Sequence, residues 1–221
     1  MKSSTFFHRK FPAAVASLIL FLGISFSGFA QGKIKVACIG NSITQGHGLT
    51  KEQAYPAQLQ LLLGDGYEVH NYGKSGRTLL LQGDRPYRKE SVYSDALAWN
   101  PDIVIIKLGT NDTKPQNWKY KKDFVADYVR LVRSFQQLPS HPKVYVCYPI
   151  PVFQTNWGIN DSTMRRGILP KVKKVRRKTR TRLIDLYHPF LGKDTIVMDG
   201  VHPTAEGARM LAGEVYKSLS R

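Results

Sequence analysis

The stretch that decides the fold is "VACIGNSITQG", residues 36–46. It begins as an unbroken apolar run, which is typical of a strand buried on both faces, and the run breaks at Gly40. Ser42 follows two residues later, and Gly46 closes the stretch. A serine in such a turn has two interpretations: it is a turn residue or helix cap, or it is a nucleophile held at the end of a strand.

The rest of the chain alternates short strand patterns with longer amphipathic patterns. The predicted strands are 33–39, 67–73, 102–109, 143–150 and 181–187. The predicted helices are 51–64, 91–100, 120–138, 162–178 with an interruption at Pro170, and 204–219. This alternation predicts an α/β fold, a five-stranded parallel sheet with helices on both faces. Ligands of such open sheets bind beyond the carboxyl ends of the strands, so functional residues are expected in the loops that follow each strand.

Those loops carry the residue types that acyl transfer needs. Ser42 offers a hydroxyl, which needs a base to take its proton, and His202 can serve as that base near neutral pH. Asp199 lies three residues before His202, close enough to orient the imidazole and stabilise its charged form. Gly73 and Asn111 are candidate donors to the negative charge that develops on the carbonyl oxygen.

Each of these residues also has a structural interpretation. Gly73 and Gly76 suit plain turns, and Asn111 suits a turn in the left-handed region. Asp199 suits a turn or cap, and His202 suits a solvated position near a helix start. The other histidines of the chain after the first thirty residues, at positions 47, 70, 141 and 188, are interpreted as lacking a comparable partner pattern.

No cofactor or metal is predicted. The sequence has no Cys/His spacing typical of zinc, no phosphate-binding P-loop and no Gly-x-Gly-x-x-Gly after a strand.

Four ordered blocks, "GNSIT" (40–44), "NYGKSG" (71–76), "GTND" (109–112) and "DGVHP" (199–203), resemble those of the SGNH hydrolases, also called the GDSL lipase/acylhydrolase family. The resemblance spans residues 34 to 218 and implies a flavodoxin-like α/β/α sandwich with strand order 2-1-3-4-5. It implies a triad of Ser42, Asp199 and His202. It also implies an oxyanion hole formed by the Ser42 and Gly73 N–H groups with the Asn111 amide. Asn41 departs from the family's usual aspartate, which is not a triad member.

The opening block and "NYGKSGRTL" (71–79) are similar to an exported bacterial branch that includes sialate O-acetylesterases and other carbohydrate acetylesterases. This similarity implies a serine esterase that removes acetyl groups from carbohydrate, with sialic acid or another acidic glycan as a candidate substrate. Trp118 and Trp157 lie in loops where they either stack on a sugar or pack beneath the loop. The alternatives are a lysophospholipase or thioesterase on the same fold, and a non-catalytic polyanion-binding protein.

Residues 1–30 are predicted to be a secretory signal peptide. Lys2, Arg9 and Lys10 precede an apolar stretch that ends in the small-x-small site Gly28-Phe29-Ala30. The alternative is a retained membrane anchor, since the run approaches the length of a span. Cleavage leaves a single predicted hydrolase domain, residues 31–221, in a protein exported to the periplasm or the extracellular space.

The chain is strongly basic. The signal peptide contains three of the 33 basic residues and no acid, so the remainder has 30 basic and 16 acidic residues and a formal net charge of +14. Ten basic residues and no acid fall within 165–182. Either this segment is an amphipathic surface helix with a solvated basic face, or it binds a polyanion, with anionic glycan favoured over nucleic acid for an exported protein.

The two cysteines, Cys38 and Cys147, are predicted to be free buried thiols, although export permits a disulfide. In the strand order that the resemblance implies, strand three separates their strands. Two strand spacings are about 9–10 Å, more than a disulfide can bridge.

Overall fold

The computed structural model describes Met1 and residues 32–220, so the predicted signal peptide, apart from Met1, lies outside the described residues. One five-stranded sheet forms the centre of the chain from residue 32 onward. Its strands are β1 (Ile34–Gly40), β2 (Tyr67–Gly73), β3 (Ile103–Lys107), β4 (Lys143–Tyr148) and β5 (Arg182–Asp185). All four pairings are parallel and the order is β2-β1-β3-β4-β5. The predicted fold class and strand order are confirmed.

The register brings the ends of the three strands nearest Ser42 to one level. Gly40, at the end of β1, pairs with Gly73 on one side and Lys107 on the other. All strands run in the same direction, so the segments that leave them start at one edge of the sheet. The first predicted block therefore lies one strand spacing, about 4.8 Å, from each of the next two, which are on opposite sides of it.

Helices cover both faces of the sheet. They are α1 (Ser42–Gln45), α2 (Tyr55–Leu63), α3 (Ser91–Ala98), α4 (Pro115–Trp118), α5 (Phe124–Gln136), α6 (Asp161–Thr163), α7 (Leu169–Thr179) and α8 (Ala205–Leu219). Two separate apolar cores result. The core on the α3/α5/α7 face includes Phe124, Tyr128 and Val172. The core on the α2/α8 face includes Leu59 and Leu211. Each such buried side chain contributes about 1.5–3 kcal/mol to folding.

Two helix boundaries differ from the sequence-based prediction for reasons that involve proline. The predicted helix 51–64 begins only at Tyr55, because Pro56 lies in the first turn, where its missing N–H costs nothing. The helix predicted over 162–178 with an interruption at Pro170 is instead continuous over 161–179, and it widens to a π-helical turn at Met164–Ile168. Pro170 cannot donate the next helical hydrogen bond, and the wider turn accommodates this without a break.

Both cysteines are free and buried. Cys38 lies in β1 and Cys147 in β4, and β3 runs between them, as predicted.

Within residues 32–220, no helix has both the length and the apolar composition that crossing a membrane requires.

Candidate active site

Ser42 is the first residue of α1, directly beyond the end of β1. The N-cap of this short helix is Asn41, whose side-chain oxygen accepts a hydrogen bond from the Ile43 N–H at 3.2 Å. Asn41 therefore takes the capping role that sequence reasoning considered for Ser42, and the serine hydroxyl is left for other partners. Gly40 makes the turn possible, since a Cβ there would lie 2.0 Å from the Thr44 hydroxyl oxygen.

A chain of hydrogen bonds joins the three residues of the predicted triad. The His202 Nε2 atom lies 2.8 Å from Ser42 Oγ, and His202 Nδ1 lies 2.7 Å from Asp199 Oδ2. The other carboxylate oxygen of Asp199 accepts the backbone N–H groups of Val201 and His202 at 2.9 and 2.7 Å. These two amides fix the carboxylate, which in turn fixes the imidazole ring against the serine.

The surroundings favour a neutral His202 beside an ionised Asp199. Burial lowers the pKa of His202 below its ordinary value, and the nearby His47 and Lys107 lower it further, whereas Asp199 opposes this shift. Burial alone would raise the pKa of Asp199, but the hydrogen bonds from the His202 side chain and nearby backbone amides outweigh burial and lower it. At neutral pH His202 is thus in the form that can accept a proton from Ser42.

Ser42 and His202 open into a cleft of about 280 Å³. The cleft is also lined by His47, Ser75, Gly76, Asn111, Lys114, Trp157 and Ile159. The Asn111 amide nitrogen donates to the Arg77 carbonyl at 3.1 Å, and its second hydrogen remains for a ligand in the cleft. Asn111 is therefore positioned at the cleft as predicted.

Gly73, the other predicted donor, does not line this cleft. Its N–H donates to the Asn71 side chain at 2.9 Å, so it is already satisfied. A Cβ at Gly73 would lie 2.2 Å from the Gln45 backbone nitrogen, so the glycine is needed for close packing of β2 against α1. The expectation that Gly73 faces the reacting group is corrected on these grounds.

Gly76, three residues later in the same block, lines the cleft instead. Its φ of +79° is a left-handed conformation that favours glycine, and its N–H has no acceptor among the described residues. The buried Asp112 carboxylate holds the end of this loop by accepting the N–H groups of Leu79 and Leu80 at 3.0 and 2.8 Å. Sequence reasoning noted Gly76 but took it for a turn residue, because only the bend of the loop brings it to the cleft.

The structure contains a second Asp-His pair that sequence reasoning missed. Asp185 and His188 have the same three-residue spacing, and their Oδ2 and Nδ1 atoms lie 2.6 Å apart. Asp185 Oδ1 accepts the N–H groups of Tyr187 and His188, as Asp199 does in its own loop. The side chain of His188 is 61% exposed and that of His202 is 7% exposed. The claim that no other histidine has a comparable partner was wrong, and contact with Ser42 distinguishes the two pairs.

Two aromatic side chains border the His202 ring from the cleft. The His47 and Trp157 ring centroids lie 4.5 and 5.6 Å from that of His202. Trp157 is 55% exposed, and its φ of +51° is costly for a residue with a side chain. Trp118, by contrast, packs its ring against Gly167 in a separate groove. Of the two tryptophans considered for sugar stacking, Trp157 alone lines the cleft around Ser42.

Three side chains of the site could also hold a metal ion. The ligand atoms of His47, Asp199 and His202 lie within 4.8 Å of one another. An ion that used Asp199 and His202 would compete for the groups that make the hydrogen-bond chain to Ser42. Metal binding at this position and the Ser42–His202 arrangement are therefore alternatives, and no step is assigned to a metal.

Lys107 is a fully buried lysine at the end of β3, and its ammonium nitrogen has no hydrogen-bond partner among the described residues. Burial lowers its pKa to about 7, opposed by the nearby Cys147 thiol. An unfolded lysine holds its proton to about pH 10.4. Between these values the unfolded chain binds the extra proton, so this residue makes stability rise with pH from about 7 to about 10.

Lys107→Met is therefore expected to stabilise the fold most at pH 7 and below, by up to a few kcal/mol, because each pKa unit corresponds to about 1.4 kcal/mol. The difference in the free energy of unfolding should shrink as the pH approaches 10, because Lys107 is then uncharged in both the folded and the unfolded wild type. Urea unfolding of both proteins at pH 6, 8 and 9.5 measures this difference. Parallel stability curves for wild type and variant across that range would contradict the assignment.

Comparison with known proteins identifies a family for the chain. A family model described as GDSL-like Lipase/Acylhydrolase matches residues 38–210, a span that includes Ser42, Gly76, Asn111, Asp199 and His202. A curated protein named acetylxylan esterase, from Xylanibacter ruminicola, is 42% identical over 202 residues. The match covers 82% of this chain but 42% of the relative, so the chain spans less than half the length of that protein.

Solved structures share the fold. A carbohydrate acetylesterase from Sinorhizobium meliloti, Est24, superposes with a TM-score of 0.68 at 23% identity, over 85% of this chain and 99% of that one. The acetyl xylan esterase AlAXEase gives a TM-score of 0.68 at 22% identity, over 84% of this chain and 100% of that one. At these identities the similarity establishes the architecture.

Proposed function

This chain belongs to the GDSL-like lipase/acylhydrolase family, a family of carboxylic ester hydrolases, and from that membership we propose that it removes acetyl groups from O-acetylated carbohydrate. The observation that carries the proposal is the hydrogen-bond chain from Ser42 through His202 to Asp199 at the floor of a small cleft. This arrangement has the parts and the distances that nucleophilic acyl transfer requires.

In the proposed mechanism, Ser42 Oγ attacks the acetyl carbonyl carbon while its proton passes to His202 Nε2. Asp199 holds the Nδ1 proton and stabilises the imidazolium. The Ser42 and Gly76 N–H groups and the Asn111 amide donate to the oxyanion of the tetrahedral intermediate. The C–O bond to the sugar then breaks, and the sugar oxygen takes the proton from His202. Water attacks the acetyl-serine by the same route, which releases acetate and restores Ser42.

A short acyl group and a sugar alcohol fit the cleft. The cleft volume of about 280 Å³ is enough for an acetyl group and part of a sugar, and Trp157 offers an exposed ring of the kind that packs on sugar faces. For the sugar we favour an acidic glycan that contains sialic or uronic acid, because the chain is strongly basic and Lys114 lines the cleft. The name of the Xylanibacter ruminicola relative adds acetylated xylan to the candidates.

A substrate panel tests this proposal. The enzyme is expected to hydrolyse p-nitrophenyl acetate with a kcat/KM at least about 100-fold above that for the palmitate ester, and to release acetate from an acetylated polysaccharide. The cleft should accept the small acyl group and reject the long one. Preference for palmitate would favour the lysophospholipase or thioesterase alternative. Failure on every ester, with retained binding to an anionic polymer, would favour a non-catalytic binding protein.

We also propose that the chain is exported, as its first thirty residues predict. An exported form with Gln31 at its N-terminus would support cleavage after Ala30, and an N-terminus at Met1 would contradict it.

A further inference from the structure

The basic segment 165–182 has no part in the proposed acyl transfer. In the structure, Ile168, Val172 and Val175 are buried, so the segment up to Thr179 is an amphipathic helix as the first interpretation predicted, and Arg182 begins β5. Most of its basic side chains remain exposed. Within the part of the chain that the structure describes, Arg165 is the one basic residue of this segment in an ion pair, with Asp161.

Part of this charge faces a groove between two helices. Lys174 and Lys178 of α7 lie opposite Lys122, just before α5, and Arg133 of α5. The groove is about 420 Å³ in volume, and the apolar side chains of α5 between those cations lie along it. No acidic residue lines it, and within residues 32–220 none of these four cations is in an ion pair.

A second groove adjoins the first. It is about 530 Å³ in volume and is lined by Trp118, Lys121, Arg166 and Lys171, again without an acid. Lys171 has a lowered pKa, caused first by burial and then by the neighbouring charges of Lys174 and Lys121. The two grooves therefore belong to one field of mutually repelling cations, which an anionic ligand would relieve.

This surface begins close to the candidate active site. Lys114 lines the cleft around Ser42, and Trp118 lines the second groove. The two residues are four positions apart across α4, a helical rise of about 6 Å. The cleft and the second groove are therefore lined by residues about one turn apart on the same short helix.

We propose that these two grooves, here called the basic track, bind carboxylate groups of an acidic polysaccharide whose acetylated sugar occupies the cleft. This inference rests on the proposed function and specifies its substrate class. A membrane surface is a poorer partner, because the large exposed apolar residues of the described chain lie outside the track. The occupant is a chain with spaced negative charges, held along the grooves by several weak contacts.

Two triple variants, each of which removes three positive charges, test the basic track. The track variant is Lys122→Gln/Lys174→Gln/Lys178→Gln, and the control variant is Lys33→Gln/Lys193→Gln/Arg209→Gln, three exposed cations elsewhere. The substrates are acetylated glucuronoxylan and the same polymer after its carboxyl groups are reduced to alcohols. Acetate release is measured at 20 and 200 mM NaCl, and p-nitrophenyl acetate reports the intact reaction centre.

The wild type is expected to prefer the acidic polymer by about tenfold in kcat/KM at the lower salt, and added salt should screen that preference. The track variant should lose most of the preference and keep its rate on p-nitrophenyl acetate, and the control variant should keep both. Equal rates of the wild type on the two polymers would overturn the inference, as would equal losses in the two variants.

A binding measurement separates this inference from the proposed function. If the wild type hydrolyses no ester, the proposed function fails, and affinity electrophoresis through deacetylated glucuronoxylan still tests the track. If the polysaccharide retards the wild type and the control variant but not the track variant, the result supports an acidic polysaccharide as the partner. Stronger track-dependent binding to duplex DNA or to phosphatidylglycerol vesicles than to the polysaccharide would show that the occupant belongs to another class.

Discussion

Ser42→Ala is expected to lower kcat/KM for p-nitrophenyl acetate by at least about 10⁴-fold, the scale on which loss of a serine nucleophile acts. The methyl group cannot form the acyl intermediate, and His202 Nε2 loses the hydroxyl that lies 2.8 Å away. His202→Asn should cause a loss of similar size. Because the two residues act as one unit, the double variant should be little worse than either single one.

His188→Asn is the matched control for His202→Asn. His188 has the same local pairing to an aspartate but lies outside the Ser42 cleft, so its replacement should leave kcat/KM within about twofold of wild type, as for a surface substitution. Steady-state kinetics and circular dichroism on the same preparations separate lost chemistry from lost folding. A folded Ser42→Ala protein with wild-type activity would refute the role of Ser42.

Asp199→Asn is expected to reduce kcat by about 10⁴-fold, as when a triad aspartate becomes an amide. The asparagine oxygen can still accept the backbone N–H groups of Val201 and His202, so the loop should keep its shape. The amide nitrogen, however, donates toward His202 Nδ1 and favours the tautomer with the proton on Nε2. That tautomer cannot accept the Ser42 proton.

Asp185→Asn makes the same change in the second Asp-His loop and should leave kcat nearly unchanged. The comparison requires only kcat and the urea midpoint of the two variants beside wild type. If both substitutions reduce kcat equally, the effect comes from a general change in the protein. If Asp199→Asn reduces kcat by less than about tenfold, Asp199 does not fix the His202 tautomer in the way proposed.

The sheet and four site residues are predictable from the sequence because their signals are local or ordered. Buried parallel strands read as apolar runs, and each loop that follows a strand must begin at the same edge. This rule is enough to bring Ser42, Asn111 and the Asp199–His202 pair to one region. Helix ends were less predictable, since Pro56 has different effects at the start and in the middle of a helix.

The errors arise where the direction of one N–H group or one side chain matters. Gly73 and Gly76 share one block, and the sequence does not say which N–H is already bonded within the loop. Asn41 and Ser42 are both good caps, and only the backbone conformation selects Asn41. Lys107 ends an apolar strand, where a long side chain either reaches solvent or stays buried, and tertiary packing decides between these.

The paired loops at 185–188 and 199–202 show which part of the site is local and which part is not. In each loop an aspartate accepts two following backbone amides and contacts a histidine three residues later, so the pair completes its geometry within four residues. The serine is the distant partner, 160 residues from His202. An Asp-His pair in such a turn therefore does not by itself identify a hydrolytic site. The feature that does so is a hydroxyl delivered to the imidazole from another strand of the sheet.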